Sequence, residues 1–516
     1  MRVKQELHMK MFFKLSYSKT LALGLALILL FLQIYSVFSY PVWRDDAGFA
    51  QLAKNMLNGE GYSAVMFNKL YPFSYLIATA GPTVVIPAAA AIFLFGNTYW
   101  AISLANVFLI WGLIIIIFIA ADTIFEKEKK WLFCFLALFF CLLFSTGSKE
   151  SLGIETNDSI ALWHLLMGEV PAAFCVISGI FLLLSATTNW KKILAGGLFL
   201  GLAVMAKTIT ALAVATVSLI FALRIICDKK IIISKKIKLL TFTAAAVIAP
   251  TFLFEMVKIL SLGWRAYKEF QVDSAVFYKI IGAVENNAWQ RFSNLNAIFG
   301  VGYVCSLLSV LLISCFSLKR HSTSSLIAVT LFGCFVIHMI WWINFSIIGS
   351  YRHFMTGLLY FCVGLAVVVT NIDYKNELQS AITSFLIFFL VIGRLVLINY
   401  DFNFNFEKTD KLKEQLEIVE EVKALEARGV NLFACGSNFE LEYLLPGSRH
   451  FKECLDMPKQ NNSATMLVSY FVNGDKVVAM RPEYPFSNVG VIPKEVLDQC
   501  SQKYMDKGNF SLHWCK

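Results

Sequence analysis

Residues 193–226 read ILAGGLFLGLAVMAKTITALAVATVSLIFALRII, a nearly continuous apolar stretch that Lys207 interrupts near its middle. A single helix of this length would run about 50 Å at 1.5 Å per residue, whereas a bilayer core is about 30 Å thick. Basic residues flank the stretch at 191–192 and 228–238, and such residues concentrate in cytoplasmic loops. Both ends are therefore expected in the cytoplasm, which predicts a helical hairpin that turns at Lys207. One long tilted helix is the alternative, and it would invert the orientation of everything that follows.

The composition of the whole chain is that of a polytopic membrane protein. Of its 516 residues, 58% are hydrophobic and 16% are charged, whereas soluble domains have about 45–50% and 25%. A large soluble enzyme, a disordered protein and a fibrous protein are therefore excluded. Crossing a bilayer takes roughly 20 apolar residues. We predict an all-α fold with about eleven transmembrane helices, at 20–40, 98–121, 131–147, 164–187, 193–206, 208–226, 238–258, 297–317, 324–345, 353–371 and 379–399.

The distribution of charge predicts the orientation. A basic segment, residues 1–19, precedes the first span, which has no small-x-small cleavage site and is expected to be an uncleaved anchor with its N-terminus in the cytoplasm. Four further basic stretches then all fall on the cytoplasmic side: 126–130, 190–192, 228–238 and 318–320. Such loops explain why a membrane protein can carry an excess of Lys and Arg, here a net charge of +10, and no basic–aromatic module predicts nucleic-acid binding. We expect a multi-pass protein of the inner or plasma membrane, in contact with membrane lipids.

The tail, residues 400–516, differs in composition from the transmembrane domain of residues 1–399. A charged helical pattern at 407–428 is followed by short apolar runs that Gly, Pro and Asn separate, at 430–434, 465–472 and 476–480. With eleven spans, this pattern predicts a small extracytoplasmic α/β domain. An even number of cysteines in an external compartment favours disulfides, and three pairings are open among Cys435, Cys454, Cys500 and Cys515.

The outer loop between the first two predicted spans, residues 41–81, carries the candidate chemistry. Apolar side chains repeat at helical spacing from 49 to 57, opposite a polar face formed by Gln51, Lys54, Asn55 and Asn58. Glycines at 59 and 61 follow as a stop signal. The pattern predicts a short amphipathic helix that lies flat on the membrane surface, with Asp45 and Asp46 at its N-terminus.

Two interpretations of this aspartate pair are open. An N-cap role for one carboxylate is sufficient by itself to explain it. Alternatively, the pair beside Trp43 and Arg44 contains a catalytic base or a metal ligand, because the positive end of a helix keeps a carboxylate ionised. Adjacent side chains on a helix point about 100° apart, so the two carboxylates cannot approach the same atom equally well.

Five motifs follow one another along the chain: Trp43-Arg44-Asp45-Asp46 with Gly59-Glu60-Gly61-Tyr62; Gly81-Pro82 leading to Phe95-Gly96; Gly168-Glu169-Val170-Pro171-Ala172; Gly197 to Lys207; and Tyr351-Arg352-His353-Phe354. Their order resembles that of the GT-C glycosyltransferases, including the protein O-mannosyltransferase and aminoarabinose transferase relatives that use polyprenyl-phosphate sugars. The resemblance covers about residues 1–370, and the family usually has Asp-Glu where this chain has Asp45-Asp46.

The resemblance implies a GT-C fold and an inverting glycosyltransferase. The enzyme would move a sugar from a polyprenyl-phosphate donor to an acceptor hydroxyl at the outer face of the membrane, and a lipid, a glycan or a protein could serve as acceptor. Asp45 is then the candidate base, with Asp46 as its helper or a metal ligand. A divalent metal ion is the one cofactor that this scheme accommodates.

Further residues are candidates for substrate binding under the same resemblance. Cations are needed to stabilise the departing phosphate, and the candidates are Lys207, Arg352 and His353. Snorkelling at a helix end is the alternative for the lysine and the arginine. Acids for a metal or acceptor site are Glu155, Asp158 and Glu169. For the first two the alternative is an ordinary polar loop, and for the third it is a hydrogen bond to a neighbouring helix.

The rival hypothesis is a multi-pass secondary transporter. Transporters tend to have internal repeats with broken helices in matching positions of the two halves. The sequence has no such repeat, and its acids gather in outer loops rather than at the middle of the membrane. A glycosyltransferase is therefore the preferred interpretation.

The predicted topology can be tested with a reporter enzyme that is active only in the cytoplasm. Fused after Tyr400, the reporter is expected to stay silent, because the basic loops alternate correctly only with eleven spans. A fusion at 229, in a predicted cytoplasmic loop, is the positive control. Activity of the fusion after Tyr400 would contradict the predicted topology.

Overall fold

The computed structural model describes residues 2–42, 44–66, 69–73, 81–145, 168–186, 188–282, 322–345, 351–371, 407–435, 439–447, 450–453, 465–470, 499–500, 502–507 and 510–515. Two predicted spans, 297–317 and 379–399, lie outside these residues, and each of the others corresponds to a helix. The helices of the N-terminal part are α1 Arg2–Ser39, α2 Arg44–Leu57, α3 Pro82–Phe95, α4 Ala101–Ala121, α5 Lys127–Ser145, α6 Glu169–Ser185, α7 Trp190–Ala206, α8 Ala211–Cys227, α9 Ile233–Leu262, α10 Trp264–Gly282, α11 Thr323–Asn344 and α12 Tyr351–Asn371.

The long apolar helices form the membrane bundle. Within the described part of the chain, 6 helices are long and apolar enough to cross a membrane: α1, α4, α8, α9, α11 and α12. Of the apolar window in α12, 89% is buried inside the protein, whereas the figure for α9 is 17%. The predicted class of an all-α polytopic membrane protein is confirmed, with α12 in the interior of the bundle and α9 at its rim.

The chain reverses direction at Lys207, as the hairpin prediction requires. Helices α6 and α7 are antiparallel, since Gly179 packs on Leu200 and Leu183 packs on Gly196. The Arg224 guanidinium near the end of α8 donates a hydrogen bond to the Leu184 carbonyl at the end of α6. Helix α8 therefore returns to the end of the bundle from which α7 started, and the single tilted helix is excluded.

Threonine closes this turn without glycine or proline. The Lys207 backbone is extended, with φ −157° and ψ 118°, and a 3-10 turn follows at Thr208–Thr210. The Thr210 hydroxyl donates to the Lys207 carbonyl over 2.8 Å, and the Thr210 N–H donates to it over 3.1 Å. These two bonds satisfy a carbonyl that the end of a helix leaves without an intrahelical partner.

Two helices of the N-terminal part were not predicted from the sequence. The first, α3, has 14 residues, fewer than the roughly 20 that cross a membrane. Its start at Gly81 touches Met205, and Phe95 at its end packs on Trp100, the residue that precedes α4. The second is α10, which follows α9 after a positive-φ Gly263.

The predicted amphipathic helix of the outer loop is α2, but its expected surroundings were wrong. It ends as predicted, and Gly59 and Gly61 have φ values of 80° and 71°. The helix does not lie flat on a membrane surface with a solvated polar face. Gln51, Lys54 and Asn55 are all at most 1% exposed, because other parts of the protein supply their partners. A hairpin of β1 Ser63–Met66 and β2 Lys69–Pro72 follows α2, and Gln51 accepts a hydrogen bond from the Val65 N–H over 3.0 Å.

The C-terminal part is the predicted α/β unit. Its elements are α13 Glu407–Ala427, β3 Asn431–Cys435, α14 Phe439–Leu444, β4 Lys452–Glu453, β5 Thr465–Tyr470, β6 Gln502–Lys507 and β7 Phe510–Cys515. Strands β3 and β5 fall on the apolar runs at 430–434 and 465–472, and the run at 476–480 lies outside the described residues. The sheet has the order β4-β3-β5-β7-β6, in which β3 is parallel to β4 and β5, while β7 is antiparallel to β5 and β6.

A disulfide joins Cys500 to Cys515 at the end of this unit. We expect both to resist alkylation by N-ethylmaleimide until a reductant is added, as measured by mass spectrometry of their peptides. Cys227, an exposed free thiol, should react under both conditions and serves as the internal control. Replacement of the bridge should destabilise the unit by roughly 2–5 kcal/mol. Full labelling without reductant would contradict the bridge.

Candidate functional site

Glu169 is the centre of a buried ionic cluster. It is the first residue of α6 and is 3% exposed. Its Oε1 lies 2.9 Å from the Lys207 Nζ and 3.0 Å from the His353 Nδ1. These three residues belong to three different sequence motifs and to three different helix ends. The structure thus brings together one candidate acid and two candidate phosphate ligands.

Close backbone packing at two glycines makes this contact possible. A Cβ atom at Gly168 would lie 2.5 Å from the Ala206 carbonyl oxygen, and one at Gly81 would lie 1.8 Å from the Met205 carbonyl oxygen. Gly168 also has a φ of 82°, which side chains disfavour. The end of α7 is therefore held between the segments that open α3 and α6. This packing sets Glu169 directly beside Lys207.

Lys207 is not a snorkelling residue. Its side chain is 9% exposed, and the backbone is fixed by a bond from its N–H to the Ala203 carbonyl over 3.0 Å. A buried ammonium needs a counter-charge, because desolvation costs several kcal/mol for each unpaired ion. Glu169 supplies that charge. The snorkelling alternative is therefore wrong for Lys207.

His353 is held by the two helices around it. The His338 ring Nε2, on α11, lies 2.7 Å from the His353 carbonyl oxygen. One turn further along α12, the Thr356 hydroxyl donates to the Glu169 carbonyl over 3.4 Å. These contacts tie the start of α12 to α11 and to the start of α6. They fix the His353 ring against the Glu169 carboxylate.

The aspartate pair lies in the first turn of α2. Asp45 and Asp46 are the second and third residues of that helix, so neither occupies its N-cap position. The free N–H groups of a first helical turn stabilise a carboxylate. Asp46 is 1% exposed, and the side chain of Asp45 lies outside the described part.

Helix α2 and the ionic cluster share one apolar core at the same end of the bundle. Ala172 lies about one turn along α6 from Glu169, and Ala206 adjoins Lys207. Both belong to the apolar cluster that buries α2 and the start of α3. Residues of that cluster include Ala47, Ala50, Ala53, Val84, Val85, Ala172 and Ala206.

The remaining predicted residues are only partly covered by the structure. Arg352 is the second residue of α12, next to His353, and its side chain lies outside the described part. Glu155 and Asp158 fall in 146–167, also outside it. Their predicted roles stay predictions.

Glu169 does not fit a divalent metal site. Its carboxylate contacts an ammonium, which cannot ligate a metal and repels one. Among the described residues, no group of three or more His, Cys, Asp and Glu side chains could hold a metal ion. The predicted metal-ligand role of Glu169 is therefore not supported, and no chemical step is derived through a metal. Metal binding by Asp46, Glu155 or Asp158 stays a prediction.

Lys54 is a buried charged residue that the sequence analysis assigned to a solvated face. Its Nζ donates to the carbonyls of Glu442, Tyr443 and Leu445, over 2.6, 3.3 and 2.6 Å. Burial lowers the pKa of Lys54 from 10.5 to about 8, and the nearby Glu442 carboxylate opposes this shift. A polar helical face looks the same in the sequence whether water or another part of the protein covers it. No sequence signal distinguished the two.

The bundle, the short helix α3 and the associated α/β unit form a polytopic membrane protein. Comparison with solved structures shows that it has the GT-C fold. ArnT from Cupriavidus metallidurans in the apo state aligns with a TM-score of 0.58 and 10% identity, over 96% of this chain and 97% of that chain. At this identity the similarity establishes the fold alone.

Two further solved structures align less closely. ArnT bound to undecaprenyl phosphate has a TM-score of 0.42 and 11% identity, over 96% of this chain and 97% of that chain. The oligosaccharyltransferase AglB from Archaeoglobus fulgidus, in complex with an inhibitory peptide and a dolichol-phosphate, has a TM-score of 0.45 and 11% identity, over 87% and 69%. Neither contributes to the fold assignment. No protein-family model and no curated protein matches the sequence.

The ionic cluster can be tested through protein stability. We expect Glu169→Gln to destabilise the protein by about 3–5 kcal/mol, because it leaves Lys207 buried without a counter-charge. The double variant Glu169→Gln/Lys207→Met should recover most of this loss in thermal unfolding of the purified protein. Glu420→Gln, which removes an exposed ion pair with Lys423, is the matched control and should cost less than about 1 kcal/mol. Equal losses in the single and double variants would contradict the pairing.

Proposed function

We propose that the protein is an inverting glycosyltransferase that moves a sugar from a polyprenyl-phosphate donor to an acceptor hydroxyl at the outer face of the membrane. The observation that carries the proposal is the convergence of the five motifs. Gly81, Gly168-Glu169 and Lys207 pack against one another, His353 joins them, and α2 with its aspartates shares their apolar core. The GT-C fold supports the same reaction class.

The chemistry of the donor explains why the site needs cations. A phosphate is a competent leaving group, so no general acid has to protonate it, unlike the leaving group in a glycosidase. The departing oxygens are instead stabilised electrostatically. Lys207 and His353 are two groups that can carry positive charge at the cluster, and both contact the Glu169 carboxylate. Arg352, the neighbour of His353, is the third proposed phosphate ligand.

The acceptor side needs a base. The acceptor hydroxyl attacks the anomeric carbon from the face opposite the phosphate, which inverts its configuration. The new bond joins the acceptor oxygen to that carbon, and the bond from the carbon to the phosphate oxygen breaks. The hydroxyl proton passes to a carboxylate, and the polyprenyl phosphate leaves as an anion. Asp45 is the proposed base, and Asp46 assists it.

Glu169 acts in this scheme as a positioning residue. Its carboxylate holds both the Lys207 ammonium and the His353 ring, and its backbone carbonyl accepts the bond from Thr356. Preorganised charges stabilise a transition state without reorganisation at the moment of reaction. The alternative of a secondary transporter finds no support in the fold comparison.

The proposal can be tested directly with defined lipids. The purified protein is incubated with a panel of undecaprenyl-phosphate monosaccharides and a membrane extract that supplies acceptors, and release of undecaprenyl phosphate is followed by mass spectrometry. Undecaprenyl phosphate should bind, whereas undecaprenol, which lacks the phosphate, should bind at least about tenfold more weakly. Equal binding of the two lipids, with no release from any donor, would refute the proposal.

Substitutions of Asp45 and Asp46 distinguish a structural role of the pair from a catalytic one. An asparagine in the first turn of a helix loses only the interaction of the carboxylate with the helix dipole, about 0.3–1 kcal/mol, but it cannot accept a proton. We expect Asp45→Asn to leave expression and membrane insertion near normal and to reduce turnover at least about a hundredfold. Asp46→Asn is tested in parallel, since the motif does not distinguish the base from its helper. Asp122→Asn, at an exposed residue paired with Lys130, is the matched control. Wild-type turnover in both loop variants would remove the catalytic role.

A further inference from the structure

The C-terminal α/β unit forms hydrogen bonds with the backbone just before the aspartates of α2. The Gln415 side chain, on α13, accepts a hydrogen bond from the Val42 N–H over 2.9 Å and donates one to the Val42 carbonyl over 3.0 Å. Both residues are buried, at 7% and 6% exposure. The amide of Gln415 therefore pairs with both backbone groups of one residue, as a neighbouring strand would. Val42 stands three positions before Asp45.

A second attachment holds the other end of the same helix. Lys54 is 1% exposed and donates to three carbonyls at the C-terminal end of α14. These carbonyls have no partners within their own helix, and a cation complements the negative end of the helix. Nearby, the Tyr443 hydroxyl donates to the Thr98 carbonyl over 2.9 Å, which links α14 to the segment between α3 and α4.

We propose that the C-terminal unit positions the catalytic loop, and that Gln415 and Lys54 are the positioning residues. The inference rests on the proposed function, since it assigns a purpose to the placement of Asp45 and Asp46. The two attachments bracket residues 43–53 and fix both the axial register and the rotation of α2. Apolar packing between α2 and the C-terminal unit is present as well, but it tolerates sliding and rotation more readily than directional bonds do.

The consequence for catalysis is geometric. A base has to lie within hydrogen-bond reach of the acceptor hydroxyl, and a displacement of 1 Å can cost about a hundredfold in rate. Loss of the Gln415 bonds frees the backbone next to Asp45 while leaving the ionic cluster intact. Donor binding should then change little, and turnover should fall.

The first test compares Gln415→Met with Gln502→Met, a matched substitution at an exposed residue of β6. Hydrogen exchange of the full-length protein is measured by mass spectrometry. We expect amide exchange in 44–53 to accelerate at least about fivefold in Gln415→Met, the effect of losing two ordinary hydrogen bonds. Exchange in α6 and α7 should be unchanged, and Gln502→Met should behave as wild type. Unchanged exchange in 44–53 would overturn the proposal.

The second test measures turnover of the undecaprenyl-phosphate monosaccharide that the wild type consumes. We expect Gln415→Met to lower kcat at least about tenfold while the KM for the donor changes less than about twofold. Gln415→Glu keeps the acceptor for the Val42 N–H and should retain an intermediate kcat. A rise in the donor KM with unchanged kcat would overturn the positioning role.

Lys54→Met, with exposed Lys423→Met as its control, tests the second attachment by the same measurements. We expect accelerated exchange toward the C-terminal end of α2. Should Lys54→Met fail to fold, the two Gln415 variants still decide the proposal. Because the exchange experiment needs no substrate, the attachment can fail or succeed independently of the glycosyltransferase activity.

Discussion

The salt bridge between Glu169 and Lys207 is the constraint on which the rest of the structure depends. Both groups are almost fully buried in an apolar bundle, where an unpaired charge costs several kcal/mol. The first residue of α6 must therefore lie beside the last turn of α7. Gly81 and Gly168 allow that approach, because neither carries the Cβ atom that would collide with the carbonyls at the end of α7. The hairpin at Lys207, the start of α3 and the start of α12 all lie around this one contact.

The same contact explains why the site can be both stable and reactive. A cluster of cations alone would repel itself and unfold the end of the bundle, whereas a fully neutralised cluster would attract no phosphate. The net charge of one carboxylate, one lysine and one histidine lies between these extremes, since the histidine adds positive charge only when it is protonated. Under the proposed function, an anionic substrate would complete the local charge balance. Binding would then be strongest when the phosphate departs, when its negative charge is largest.

Much of this architecture could be predicted from the sequence, for identifiable reasons. Composition predicted the membrane bundle, and the alternation of basic loops predicted the turn at Lys207, because membrane insertion imposes both patterns on a chain. Residue type and motif order selected Glu169, Lys207 and His353. Their contact with one another could not be predicted, since it depends on which helices become neighbours. The solvated face assigned to Lys54 was wrong because a polar stripe does not reveal whether water or an α-helical terminus will cover it.

Helix α2, which carries the two aspartates, is held in place from outside the membrane bundle as well as from within it. The helices of the bundle are held by extensive burial, whereas α2 lies in a loop that belongs to no span, and a loop is the least ordered support for a reactive carboxylate. The ionic cluster cannot supply the missing order, because it holds the ends of α6, α7 and α12. Hydrogen bonds from outside the bundle are needed, and Gln415 and Lys54 provide them on either side of the aspartates. Under the proposed function, the C-terminal unit is thus part of the reaction geometry, because it holds the loop that carries the aspartates while the bundle helices hold the ionic cluster.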